Sequence, residues 1–339
     1  MLLTLNCGSS SIKYAIFDDK LNCLTKGTRE NIKDHQKELQ SIIKKLKLDK
    51  NNEKLIIAHR IVHGGQIFTK STIITSKNIK KLKSLNTLAP LHNPIQTKCI
   101  KFCLKLFPKS QNIAVFDTAF FQGLKPEHYL YALPSDRHKT YNIRKYGFHG
   151  ISHHYLIQET IKKFHTKNLK IITCHLGNGA SITASKNGLP ITTSMGFTPT
   201  GGVVMGTRCG DIDPAIIPYM MHQKKLSISD ITKIITSQSG LLALSGKTND
   251  MKTLLERQKK DPKAKLAIQI FINRIVEYIG SYIALMNGAD VIVFSGAIGY
   301  RSAFIRNQIK KHFTYLPNIK FLTLETNEEL MMAKEAQKG

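Results

Sequence analysis

The sequence predicts an α/β protein of two related domains around a cleft. Three observations predict it. The chain has 339 residues, enough for two separate cores. It opens with two apolar, β-prone segments, residues 2–5 and 12–17, which flank a turn of Gly8, Ser9, Ser10 and Ser11. The same order of strand, Gly/Asn/Ser turn and strand restarts at residues 170–175 and 181–185. Two domains that each open with a phosphate-type hairpin would place a nucleotide in the cleft between them.

The elements follow in chain order. The first hairpin presents backbone N–H groups, three hydroxyls, Asn6 and Lys13 to one small volume, which suits a phosphate group. It is not a P-loop, because GxxxxGK[ST] is absent and the second flank is strand-like. An ordinary Ser-rich hairpin turn is the plain alternative. Residues 55–62 form a buried strand ended by the turn His63, Gly64, Gly65. Residues 78–85 and 94–106 form helices separated by a loop, and 112–116 a strand that exits at Asp117. The pattern loosens between 121 and 146, around Pro126 and Pro134, where the main domain transition falls. The division is 1–121 and 122–327, with a final helix, 328–339, packing back on the first domain. In the second half, residues 267–287 form a long helix that leads into a strand at 291–295 and a turn at 296–299.

A hydrophobic fraction of 42% and a charged fraction of 22% are ordinary for a soluble globular protein. No apolar run approaches bilayer length and no leader pattern opens the chain, so a cytoplasmic protein without a membrane partner is expected. The six cysteines include no CxxC pair. Cys99 and Cys103 lie four apart on a helix without a nearby His, so reduced, buried thiols are expected rather than zinc ligands. The net charge of +27 comes from 50 Lys and Arg, of which only nine are Arg. Specific nucleic-acid readers lean on Arg forks and aromatic interleaving, so the Lys excess reads as solvated surface. It still draws anionic small molecules towards a cleft.

Scarcity makes each Arg informative. Arg60 lies within an apolar strand, where it is costly to bury unless it meets an anion or pairs with a structural carboxylate. Asp117 stands at a strand exit as a metal-water ligand, an orienter, a base or a plain helix cap. His149 sits between Phe148 and Gly150, in a stretch whose glycines permit close backbone approach. His175, Leu176, Gly177, Asn178 and Gly179 form the second phosphate-style turn. Residues 194–214 hold five Gly, Arg208, Asp211 and Asp213, with Val203, Val204 and Met205 between the glycines, as in a mobile or closely packed active-site segment. Two Arg, a His, an acid and two phosphate-type turns point to phosphoryl transfer onto or off an anionic acceptor.

Eight segments, in order and across nearly the whole chain, resemble the acetate kinase family of short-chain acyl kinases. They are residues 6–13, 59–65, 89–94, 116–120, 146–153, 174–181, 195–214 and 326–330. The resemblance implies two actin-like, sugar-kinase-type (ribonuclease H-like) domains, commonly in a homodimer. It implies reversible phosphoryl transfer between ATP and acetate, giving acetyl phosphate and ADP, with Mg²⁺ or alternatively Mn²⁺. Asn6 and Glu328 match the metal-associated positions. Arg60 and Arg208 match those that hold the carboxylate and the transferring phosphoryl group. Asp117 matches the essential acid and His149 the transition-state stabiliser. Val62, Leu91, Phe148 and Pro199 match the pocket for the acetate methyl. Ser9, Ser11, Lys13, residues 175–179, Asp250, Lys252, Gly296, Ala297, Ile298 and Gly299 match phosphate- or nucleotide-binding positions. Departures fall mainly on the adenosine side. Ala297 and Tyr300 stand where Gly and Glu are usual, Lys252 where Arg is usual, and Gly201 where an acid is common. The chain is also shorter before Arg60 and between Arg301 and Glu328. The alternatives are a propionate or other short-chain acyl kinase, a donor such as pyrophosphate, and a basic nucleic-acid-binding scaffold on a decayed kinase fold.

Overall fold

The computed structural model describes residues 1–90 and 92–338. The chain divides into two compact units, one of Met1–Gly123, Phe148–Tyr155 and Asn327–Gly339, the other of Leu124–Gly147 and Leu156–Thr326.

The first unit is built on six strands: β1 (Leu2–Cys7), β2 (Ser11–Phe17), β3 (Cys23–Glu30), β4 (Ile56–Ile61), β5 (Thr72–Ile73) and β6 (Gln111–Phe116), in the order β3-β2-β1-β4-β6-β5. β1 to β3 form an antiparallel meander, while β1, β4 and β6 run parallel. Alternation along β1 explains how both faces are covered. Leu3, Leu5 and Cys7 face a core closed by the helices His35–Lys45 and Asn93–Leu106. Leu2 faces the opposite core, closed by Met331, Met332, Ala333 and Ala336 of the helix Glu328–Gln337. The helix that ends the chain therefore belongs to the sheet that begins it. β3 carries CLTKGTRE at the sheet edge and is largely exposed, so it has no apolar alternation to announce it.

The second unit repeats the plan with β7 (Lys170–Leu176), β8 (Ala180–Lys186), β9 (Leu189–Thr193), β10 (Val291–Ser295) and β11 (Lys320–Thr323), in the order β11-β10-β7-β8-β9. Again a meander, β7 to β9, adjoins a parallel set, β7, β10 and β11. The long helix spans Pro262–Leu285 and starts earlier than its apolar pattern suggests. Asp261 caps it, accepting from the N–H groups of Lys263 and Ala264, and Pro262 fills the first turn. Residues 296–299 are the start of a short helix, Gly296–Arg301, rather than a turn. Gly296 has a φ of +76°, and a Cβ there would lie 2.6 Å from the Leu176 carbonyl oxygen, so glycine serves backbone approach there. Four of the six cysteines are buried, and Cys7, Cys99 and Cys103 share one core. No helix among the described residues is long and apolar enough to cross a membrane.

Candidate active site

Three parallel strands of the first unit deliver polar side chains to neighbouring positions at their carboxyl ends, where α/β sheets open for ligands. β1 ends on Asn6 and Cys7, β4 on Arg60 and Ile61, and β6 leads into Asp117. Arg60 Nη2 donates to Asp117 Oδ2 at 2.7 Å, and Nε lies 3.2 and 3.3 Å from the two carboxylate oxygens. Arg60 Nη1 donates to Asn6 Oδ1 at 3.1 Å and lies 3.7 Å from Glu328 Oε2. Asn6 Nδ2 donates to the same Glu328 oxygen at 3.1 Å. The helix Glu328–Gln337 starts here because Asn327 caps it through Leu330 N–H, which sets Glu328 in the first turn.

The strand end carries Arg60 beside a carboxylate rather than as a free cation. Asp117 is 1% exposed against 17% for the Arg60 side chain, so the acid is sealed and part of the Arg60 side chain reaches solvent. Burial is the largest influence on Asp117 and raises its carboxyl. Arg60 and the Ile151 N–H oppose that rise. Burial alone would lower Arg60, but Asp117 and Glu328 more than offset it and raise it, so the pair's proton sits on the guanidinium.

Gly150 shapes this corner. A Cβ there would lie 2.0 Å from the Asp117 carbonyl oxygen, so only glycine lets the helix Gly150–Phe164 start against that strand exit. His149, just before it, holds a φ of +56°, a left-handed conformation uncommon for residues other than glycine. The Phe148 ring is buried and meets the His63 ring edge-on at 5.4 Å. Val62 is buried one residue before His63. Leu91 lies outside the described residues. Lys13 stands opposite Asn6 in the β1–β2 ladder, on the same face, and is exposed. Gly8 N–H donates to the Ser11 carbonyl at 2.8 Å, closing the tip of the hairpin. Ser9 lines a cavity of about 560 Å³ with residues 32–36, Ile95 and Lys98.

In the second unit, Asn178, Asp250, Lys252, Ala297 and Ile298 line one cavity of about 880 Å³, with Asn249, Arg301 and Phe304. Asn249 Nδ2 donates to Asn178 Oδ1 at 2.9 Å and ties the β7–β8 turn to the 249–252 segment. Within that turn Gly177 N–H donates to the Gly179 carbonyl. His175 pairs with Ser295 across β7 and β10, and Gly299 packs on Leu176, so the turn and the 296–299 segment are contiguous. Arg208 Nη1 donates to the Pro199 carbonyl at 3.1 Å and lies 3.7 Å from Met205 Sδ. Burial lowers Arg208, and among the described residues no carboxylate pairs with it. A half-buried guanidinium so placed is suited to an external anion.

Each unit joins an antiparallel meander to parallel strands, and the chain has the actin-like, sugar-kinase class of fold. The profile of the Acetokinase family matches residues 25–338, and the chain belongs to that family. An acetate kinase of Halothermothrix orenii is 39% identical over 389 aligned positions, covering 98% of each chain. That alignment is longer than this chain, so the relative carries residues that have no counterpart here. A solved propionate kinase of Francisella tularensis subsp. tularensis SCHU S4 is 38% identical, with a TM-score of 0.92 over 99% of both chains. A solved acetate kinase of Porphyromonas gingivalis is 33% identical, with a TM-score of 0.90 over 99% of this chain and 98% of its own.

Proposed function

We propose that this chain is an acetate kinase that transfers the γ-phosphoryl group of ATP to acetate, reversibly, giving acetyl phosphate and ADP. The observation that carries the reading is the Arg60–Asp117–Asn6–Glu328 network at the carboxyl ends of β1, β4 and β6. Acetate offers one charged end and one methyl, so its site needs a guanidinium beside a small apolar cup. On this reading Arg60 supplies the charge, and Val62 and Phe148 of the same unit contribute to the cup. An oxygen of the acetate carboxylate attacks the γ-phosphorus as the bond to the β,γ-bridging oxygen breaks, and ADP leaves with that electron pair. Arg208 and His149 are assigned to the oxygens of the phosphoryl group in transit, where charge neutralisation governs the rate. Asp117, sealed and paired, orients Arg60.

Asn6 and Glu328 present hard oxygen donors that fit Mg²⁺ or Mn²⁺, which take few protein ligands and fill their remaining positions with water and phosphate oxygens. Held by Asn6 and Glu328, such an ion would supply positive charge to offset that of the phosphoryl oxygens. The cavity of about 880 Å³ lined by Asn178, Asp250, Lys252 and Ala297 supports a nucleoside triphosphate over pyrophosphate as donor, because it offers room for a base and ribose. The family relatives and the absence of aromatic-basic interleaving both weigh against a nucleic-acid scaffold. A homodimer is part of this reading.

Trapping the acyl phosphate as its hydroxamate, with ATP or pyrophosphate against acetate, propionate and butyrate, tests the proposal. The expected result is ATP-dependent hydroxamate that is greatest with acetate, reduced about a hundredfold or more in Arg208→Ala. No product from the wild type, or full activity in that variant, sinks it.

A further inference from the structure

β1 and β4 pair in parallel from Leu2 opposite Ile56 to Leu5 opposite His59, and there the ladder stops. Beyond it one strand carries Asn6 and Cys7, and the other Arg60, Ile61 and Val62. Two side-chain links cross the opening, Arg60 Nη1 to Asn6 Oδ1 at 3.1 Å and Gln96 from the neighbouring helix. Gln96, on the first turn of the helix Asn93–Leu106, accepts from the Val62 N–H through Oε1 at 3.0 Å. Its Nε2 donates to the Cys7 carbonyl at 3.3 Å. Gln96 is 2% exposed, so neither strand atom has water to turn to if the amide is lost. Asn93, fully buried one turn earlier, accepts from His63 N–H at 3.2 Å and donates to the His63 carbonyl at 2.9 Å. The helix thus extends the sheet with two side-chain amides where its backbone ladder ends.

The geometry points to Gln96 as a positioning residue that fixes the spacing between the strand end carrying Asn6 and the one carrying Arg60 and Val62, and thereby sets which carboxylic acid is preferred. This rests on the reading that Val62 lines the acyl pocket. The Gln96 amide brings an acceptor and a donor to one tip. Glutamate keeps the acceptor for Val62, methionine keeps the length with neither function, and asparagine falls one methylene short.

The test compares wild type with Gln96→Met, Gln96→Asn and Gln96→Glu. It measures kcat and KM for acetate and propionate by hydroxamate trapping, with thermal melting and hydrogen exchange over residues 60–64. In Gln96→Met and Gln96→Asn the acetate-to-propionate ratio of kcat/KM is expected to fall about fivefold or more, through KM for the acid, because discrimination of one methylene needs a fixed wall. Gln96→Glu, which keeps the Val62 contact but loses the one to Cys7, is expected to lower the ratio less than Gln96→Met does. A merely structural role lowers kcat for both acids equally, and that result overturns the proposal. If Gln96→Met does not fold, Gln96→Asn decides. Unchanged exchange protection at residues 60–64 in the variants overturns the pinning with no need of turnover. A wild type that makes no hydroxamate fails the kinase reading instead, and the exchange result then still decides whether Gln96 pins Val62.

Discussion

His59 sits within β4, 2% exposed, with Nε2 against Asn112 Oδ1 at 2.9 Å, so Nε2 carries the ring proton. Burial holds its imidazole down to about 4. An unfolded chain takes up that proton near pH 6.5, so between the two values the unfolded state binds a proton that the native state refuses. The stability owed to the neutral ring is therefore complete above pH 6.5 and is lost as the pH falls through 4. From this group alone the loss between pH 6.5 and pH 4.5 is about 2 kcal/mol. Urea unfolding at both values, for wild type and His59→Gln, should show the difference shrink by that amount in the variant. His154, also held at about 4 by burial, leaves a remainder in the same direction. An unchanged difference would mean that His59 is not the titrating group. How much of the site can be read from the chain also shows at this scale. Arg60 stands out because only nine of the 50 cationic residues are Arg. Asp117 is legible as a strand-exit acid but not as the partner of Arg60, since the two meet only through the β4–β6 pairing, 57 residues apart. Gln96 and Asn93 carry no chemical signature of their own. The one available signal is a pair of amides three apart at the start of an apolar helix, which reads equally well as a polar helix face.

Whole elements are legible where periodicity and turn chemistry agree, as in the two hairpins, and they mislead where glycine serves packing instead of turning. The segment at 296–299 looks like a turn because glycine disfavours helix interiors, yet it begins one, and its glycines admit Leu176. Gly150 shows the same logic at the head of a long helix. An alanine Cβ would sit 2.0 Å from the Asp117 carbonyl oxygen and 2.9 Å from Phe120 Cβ, and both neighbours belong to the rigid strand exit. Gly150→Ala must displace the helix start, and with it the Ile151 N–H that supports Asp117. The expected cost is at least about 1–3 kcal/mol of stability, with activity falling further than stability does. Gly123→Ala is the control, because nothing lies within 4 Å of a Cβ there. Melting curves and hydroxamate assays of the two variants check the expectation. Wild-type behaviour in both would contradict the contact between the helix start and Asp117.

For the molecule as a whole, charge and apolar surface pull in opposite directions. The second unit carries the helix Ile216–Lys224, whose first six residues, IIPYMM, are all apolar, yet none of them is buried. Ile216 is 42% exposed and Tyr219 66%. A helix apolar on every side is normally enclosed, and a second copy of the chain is the occupant expected from the homodimer reading. Each copy brings a charge of +27, so association must overcome mutual repulsion, which salt screens over roughly 8–10 Å near physiological ionic strength. The dimer should therefore tighten as salt is raised, opposite to the behaviour of a basic protein held to nucleic acid, whose binding weakens with salt. Light scattering across a salt series is expected to give twice the 38.1 kDa chain mass for wild type at micromolar concentration. The double variant Ile216→Asp with Tyr219→Asp should stay at the mass of one chain, with its melting temperature little changed because both side chains are exposed. If wild type is monomeric at every salt concentration, or the double variant still dimerises, this helix is not the interface and its apolar face requires another explanation.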